Sequence, residues 1–225
     1  MGLNEKFFAT GEQGIPNLKL HLDASDTNSY PGSGNIWYDL SGNGNDATKS
    51  GSTAPGWSAN GYFNFDGSND KMQVPGFYGF AQQTWSLWVY PDANERTTLL
   101  TTYGSTITEG AMTIEMQLGL TPICEVRSTS GTKTATSSTT NMSKFNWHMI
   151  TGTSDGTNVK IYVDGGGADS TTATVNTLAG SVQPMVIGYE FRNNRLFLNG
   201  RISKIRAYDR ALLPAEITEL YNEGP

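Results

Sequence analysis

Cysteine is nearly absent: Cys124 is the only one in 225 residues, so no disulfide can form within the chain and the fold does not rely on oxidation. In its apolar setting, Pro122-Ile123-Cys124, the thiol reads as a buried, inert side chain. Charge is sparse as well. Charged residues make up 16% of the chain, and 15 scattered Lys and Arg against 21 Asp and Glu leave a net charge of −6. Only Arg201, Lys204, Arg206 and Arg210 gather loosely, at the spacing of a solvated strand face, which argues against a nucleic-acid partner. No apolar run is long enough to span a bilayer, and the opening MGLNEKFFATGEQGIP lacks the apolar stretch of a secretory leader. The expectation is no membrane partner, in a protein that works inside a cell, leaves it by lysis or assembly, or is a trimmed piece.

Turn formers and β-formers fill the chain instead. Gly contributes 26 residues, and Ser, Thr and Asn recur between short apolar runs. Phe145 to Gly165, FNWHMITGTSDGTNVKIYVDG, reads as one complete β-hairpin. Trp147, Met149 and Thr151 alternate with His148, Ile150 and Gly152, Ser154-Asp155-Gly156-Thr157 turns the chain, and Val159, Ile161 and Val163 resume the alternation. A hairpin apolar on both faces needs sheets around it. Thr84 to Tyr90 sets Trp85, Leu87 and Val89 against Ser86, Trp88 and Tyr90, the pattern of a central strand covered on both sides.

Residues 1–16 are polar and Gly-rich, carry the apolar pair Phe7-Phe8 and end at Pro16, which predicts an N-terminal attachment arm. The domain then runs over 17–225, opening on a strand with Leu18, Leu20 and Leu22 on its buried side. Residues 25–58 form a long Gly-, Asn- and Ser-rich loop region. Gly61 to Asp66 and Lys71 to Val74 pair as a hairpin, further strands follow through Tyr208, and Pro214 starts a short helix with Ile217, Leu220 and Tyr221 on one face.

Three motifs carry a resemblance. The Trp-His hairpin ending Ile-Tyr-Val-Asp-Gly, the strand Thr84-Trp85-Ser86-Leu87-Trp88-Val89-Tyr90-Pro91, and Gly200-Arg201-Ile202 through Tyr208-Asp209-Arg210-Ala211-Leu212 resemble, in the same order, those of LamG-like domains in the concanavalin A-like lectin/glucanase superfamily. The resemblance implies an all-β fold, a two-sheet antiparallel β-sandwich of jelly-roll type with one short C-terminal helix. His21-Leu22-Asp23-Ala24-Ser25 with Trp37 through Asn45 also looks like the LamG-like domains of bacteriophage virion proteins.

Glycosidases occur in that superfamily. A retaining one needs two carboxyls roughly 5–5.5 Å apart, and no Glu-x-Asp-x-Glu run supplies them: Glu115 and Glu125 stand alone on their strands, and Glu216 and Glu219 lie on the helix. His21 and His148 lie outside metal-protease and nucleophile-elbow contexts. No residue is assigned a catalytic role.

Calcium is the one cofactor with support. Asp39, Ser41, Asn43, Asn45 and Asp46 place oxygens as the first half of a calcium loop does, and Asp66 and Asp70 on another turn could complete the site. The same residues also serve Asx-turns without a metal, and the sequence leaves the two readings level. For a sugar, aromatic faces and planar polar groups are available from Tyr30, Trp37, Tyr38 and Trp57 in the first loop region, and from Tyr103, Tyr189, Arg192 and Asn193. The expected protein is a non-catalytic recognition or structural domain on a virion surface, a capsid decoration or fibre-type adhesin. Its partner would be a glycan or a capsid protein, with a homo-oligomer also open. A secreted carbohydrate-binding module is the alternative, and a hydrolase with an atypical site the third.

Overall fold

The computed structural model describes residues 14–49, 54–102, 112–128, 131–136, 140–172, 184–190 and 195–225. Among these residues, sixteen strands and one helix follow in chain order. They are β1 (Leu18–Asp23), β2 (Ile36–Trp37), β3 (Ala47–Lys49), β4 (Gly56–Ser58), β5 (Tyr62–Asp66), β6 (Met72–Val74), β7 (Gln83–Pro91) and β8 (Thr97–Thr101). After them come β9 (Met112–Gln117), β10 (Thr121–Ser128), β11 (Gly131–Thr136), β12 (His148–Ser154), β13 (Asn158–Val163), β14 (Asp169–Thr172), β15 (Met185–Ile187), β16 (Asn199–Tyr208) and α1 (Pro214–Asn222).

Two antiparallel sheets form the sandwich. The first runs β14-β13-β12-β7-β16-β5-β4, with β1 also paired to β16; the second runs β11-β10-β9-β8-β15-β6-β3-β2. The expected hairpin is the β12–β13 pair, in register from Ile150↔Val163 to Ser154↔Val159. Its turn closes as the Asp155 carboxylate accepts the backbone N–H groups of Thr157 and Asn158, with Gly156 at φ 87°. β7 lies between β12 and β16, the central position its two-sided apolar pattern requires. Trp85, Leu87 and Val89 point into the space between the sheets and are at most 1% exposed, each contributing roughly 1.5–3 kcal/mol by burial.

The expected hairpin of residues 61–74 does not form. β5 joins β16 and β4 in the first sheet, whereas β6 joins β15 and β3 in the second. Both strands aim alternate residues at one core, Phe63 and Phe65 from one side, Met72 and Val74 from the other. Alternation is the same in either arrangement, so it cannot tell a hairpin from a strand pair split across a sandwich.

A second, smaller core lies on the outer face of the first sheet, under α1. Trp88, Met149, Tyr162 and Tyr208 of the sheet meet Leu212, Ile217 and Leu220. Tyr221 stacks on Trp88 with centroids 5.4 Å apart. The Glu216 carboxylate secures the helix start, accepting the Leu213 backbone N–H at 2.7 Å and a two-pronged bond from Arg210 at 2.6 and 2.8 Å. Ile15 packs on this same core, and the Pro16 carbonyl accepts from Arg210 Nε at 3.2 Å. Ile15 and Pro16, the last residues of the expected arm, thus touch the domain; Phe7 and Phe8 lie outside the described residues.

Candidate functional site

α1 covers only part of that outer face, and beside it the strand positions turned away from the core come together. Arg201 of β16 lies directly opposite Tyr90 of β7 on one side and Asn64 of β5 on the other, and Asn64 lies opposite Gly56 of β4. Trp147, one residue before β12, extends the row, its ring centroid 5.5 Å from that of Tyr90. Tyr62, two residues before Asn64 and on the same face, closes over it: its ring is 6.0 Å from Trp147, and the Arg201 guanidinium carbon lies 5.3 Å from the Tyr62 centroid and 4.3 Å from that of Tyr90. These are cation–π distances, and Asp92 lies 3.4 Å from the same guanidinium. Arg201 Nε is buried without a partner. Hydrogen bonds from Ser58 and Asn60 keep the Tyr62 hydroxyl below the usual tyrosine pKa.

The loop before β12 is fastened so as to bring aromatics to this face. His148 Nδ1 lies 2.8 Å from Asp164, and Nε2 lies 3.1 Å from both the hydroxyl and the backbone nitrogen of Ser143. Asp164 also accepts the Met149 backbone N–H at 2.8 Å. Phe145 then sits at φ 63° with its N–H bonded to the Pro91 carbonyl, and it stays 56% exposed. A left-handed aromatic residue costs of order 1–3 kcal/mol. Serine, imidazole and carboxylate share the contacts of a hydrolase triad, but Nε2 also lies 3.1 Å from the backbone nitrogen and 3.2 Å from the carbonyl oxygen of Ser143, so the backbone of the same residue competes with its hydroxyl for that nitrogen. This arrangement is a staple for the loop.

Glu115 and Glu125 lie on the outer face of the second sheet. Glu125 is opposite Thr113, two residues from Glu115, so the two are diagonal neighbours roughly 7–8 Å apart. Glu115 is tied into an ion pair with Arg96 at 2.9 Å and accepts from Gln117 at 3.2 Å. A carboxylate engaged as an acceptor on these sides is not set up as the proton donor that glycoside cleavage needs.

The aromatic residues expected at a sugar site mostly face inward. Trp37 is fully buried against Phe63, at 4.8 Å, and Tyr30 is 2% exposed, its hydroxyl bonded to the Gly34 carbonyl at 2.9 Å. Trp57 is half-buried on Tyr30 and donates its indole N–H to the Ala24 carbonyl at 3.0 Å. Tyr189 is buried, its ring stacked 5.8 Å from Phe197 and its hydroxyl accepting from Gln73; burial pushes its pKa up. Of the expected aromatics among the described residues, only Tyr38 is exposed, at 42%. The reason is physical: a long loop gains stability by sinking its large apolar rings into the sandwich, and once sunk they offer no face to a ligand. Tyr103, Arg192 and Asn193 lie outside the described residues.

The expected calcium ligands are consumed by the chain itself. Asp39 accepts four hydrogen bonds, from the backbone N–H groups of His21, Ser41 and Asn45 at 2.9 Å each and from the Ser41 hydroxyl at 2.7 Å. Four is the full capacity of a carboxylate. Asp46 accepts the Asp39 N–H, while the Asn43 and Asn45 amides donate to the Leu18 and Lys19 carbonyls. Asp66 caps its own turn through Ser68 and Asn69, and Asp70 accepts the Asp66 N–H. Burial raises the Asp70 pKa, which disfavours the charge a cation wants. Among the described residues, no three His, Cys, Asp or Glu side chains are grouped to hold a metal. Bonded in this way, the Asp39 carboxylate keeps no lone pair for a cation.

A cleft of about 360 Å³ opens between β1, β16 and the end of α1, lined by residues that include Leu18, His21, Arg206, Tyr208 and Glu223. Its guanidinium is paired with Glu223 and its tyrosine is 2% exposed, so it presents no aromatic shelf.

A model of the concanavalin A-like lectin/glucanases superfamily matches residues 66–218. The chain belongs to this superfamily. Tyr90, Trp147 and Arg201 fall inside the matched span of this superfamily domain, and Tyr62 and Asn64 just before it. Comparison with curated protein sequences finds no match. Among solved structures, the binding domain of botulinum neurotoxin DC in complex with SialylT is 15% identical with a TM-score of 0.69, covering 92% of this chain and 52% of its own. Domain 4 of AbnA, a GH43 extracellular arabinanase from Geobacillus stearothermophilus, in complex with arabinotriose, is 20% identical with a TM-score of 0.67, covering 91% of this chain and 98% of its own. The binding domain of Paraclostridial Mosquitocidal Protein 1 is 18% identical with a TM-score of 0.66, over 92% and 52%. The chain thus spans about half the length of the two toxin domains and nearly all of the arabinanase domain. At these identities the likeness is one of fold.

Proposed function

We propose that this chain is a non-catalytic glycan-recognition domain and that its ligand lies on the outer face of the first sheet, at Tyr62, Tyr90, Trp147 and Arg201. The observation that carries the reading is the row itself: aromatic rings and a guanidinium, drawn from β5, β7, β16 and the residue before β12, stand together beside the part of the sheet that the helix covers, with Trp147 at the edge of the small core. Aromatic faces take the apolar side of a sugar ring, and guanidinium, amide and carboxylate groups take its hydroxyls. Superfamily membership supports the reading, as do the arabinotriose held by the arabinanase domain and the SialylT held by the neurotoxin domain.

The setting proposed for it is a virion surface, as a capsid decoration or fibre-type adhesin that meets a glycan or a capsid protein. What supports this is the likeness of the His21–Ser25 and Trp37–Asn45 stretches to virion LamG-like domains. A second reading, an extracellular module attached to a polysaccharide-degrading enzyme, is favoured by the near-complete overlap with the arabinanase domain. The test is a glycan array probed with the wild-type chain and with Trp147→Ala. Binding that disappears in the variant, at unchanged melting temperature, supports the site, and binding that survives removes it.

A further inference from the structure

We propose that the site takes an internal stretch of a linear glycan laid across the strands, and not a single terminal sugar; the inference rests on the glycan reading above. Trp147, Tyr90, Arg201, Asn64 and Gly56 occupy consecutive cross-strand positions from β12 to β4. Strands lie about 4.8 Å apart, so the row spans roughly 19 Å. One sugar would touch only a fraction of it.

The row is a shelf. Trp147, Tyr90 and Arg201 are half-buried, while Asn64 and Gly56 are exposed. A site for a terminal sugar encloses its ligand, and a chain that passes through needs both ends clear. At the β4 end, a Cβ built on Gly56 would meet nothing within 4 Å. Beside the end of β7, where its N–H bonds to the Pro91 carbonyl, the exposed Phe145, with Lys144 at 5.1 Å over its ring, adds a further aromatic surface next to the row. The chemistry also changes along the row, from indole and phenol through guanidinium to amide and bare backbone. Successive sugars would therefore be gripped first by stacking and then by hydrogen bonds.

The experiment is calorimetric titration of the full chain with laminari-, cello-, xylo- and arabino-oligosaccharides of one to six units. In at least one series, affinity is expected to be undetectable for the monosaccharide and to climb tenfold or more between two and four units. Asn64→Ala, a substitution at an exposed position, is expected to weaken the longer ligands and leave the disaccharide unchanged, whereas Trp147→Ala weakens all. A mono- or disaccharide that binds as tightly as the hexasaccharide, and is lost in Trp147→Ala, overturns the inference while the glycan reading stands. Binding to none of the four series, or binding indifferent to both Trp147→Ala and Arg201→Ala, overturns the glycan reading and the inference with it.

Discussion

Arg201 and Tyr90 are cross-strand partners, and the guanidinium carbon lies 4.3 Å from the centre of the tyrosine ring. Two adjacent strands of the first sheet thus hold a cation over an aromatic face. Preorganisation of this kind lowers the ordering cost of binding, because the side chain is already immobilised before a ligand arrives.

Replacing Arg201 by Lys keeps the charge but loses the planar fork and most of the stacking. Glycan affinity is expected to fall about tenfold or more, while stability falls by about 1 kcal/mol, the size of a cation–π contact at a partly exposed site. Calorimetry and urea unfolding measure the two effects separately.

Gly188 follows β15 at φ 82°, and a Cβ there would lie 2.5 Å from the Phe65 ring. Its carbonyl accepts the Leu198 N–H and its own N–H donates to Leu99, so the backbone cannot step aside. Gly188→Ala is expected to cost about 3 kcal/mol from overpacking and left-handed strain together. Gly152→Ala should cost less: its near neighbours at 2.7 Å are Cys124 Sγ and the terminal methyl of Met112, a flexible end. Urea midpoints of the two variants give the order.

Because Asp39 spends its carboxylate on four internal bonds, Asp39→Ala is expected to destabilise by about 2–4 kcal/mol, more than one lost turn bond. Added calcium and EDTA are expected to give the same melting temperature. A calcium-dependent rise would show that these turns open to receive the ion.

Burial, reinforced by Arg206 and Lys204 and opposed by Asp23 and Glu223, lowers the pKa of His21 from 6.5 to about 4. The unfolded chain therefore takes up a proton that the folded one refuses. The stabilisation is complete above pH 6.5, falls as pH drops toward 4, and amounts to about 3 kcal/mol at most. In His21→Gln the part of the pH dependence between 4 and 6.5 that belongs to this group should vanish from urea unfolding curves.

Elements with a strong period were legible in the sequence: β12–β13, β7 and α1 form where alternation and the Pro214 start place them. The site was not, because Tyr62, Tyr90, Trp147 and Arg201 are far apart in the chain and only the register of β5, β7 and β16, with the loop that enters β12, unites them. A signal was present in each strand. Tyr62 precedes Phe63, Tyr90 follows Val89, and Arg201 precedes Ile202, each polar or amphipathic residue beside a core one and hence on the opposite face. The loop aromatics misled for the opposite reason. Trp37 and Tyr30 sit amid turn residues that suggest exposure, yet their rings complete the core around Phe63.

The most direct test of the sheet-face site follows the five tryptophan indole N–H signals by ¹H–¹⁵N NMR while a glycan identified on the array is titrated in. The account predicts that the Trp147 signal shifts with ligand and that those of Trp37 and Trp57 stay in place. A shift of Trp57 with Trp147 unmoved would put the ligand on the first loop region and contradict it.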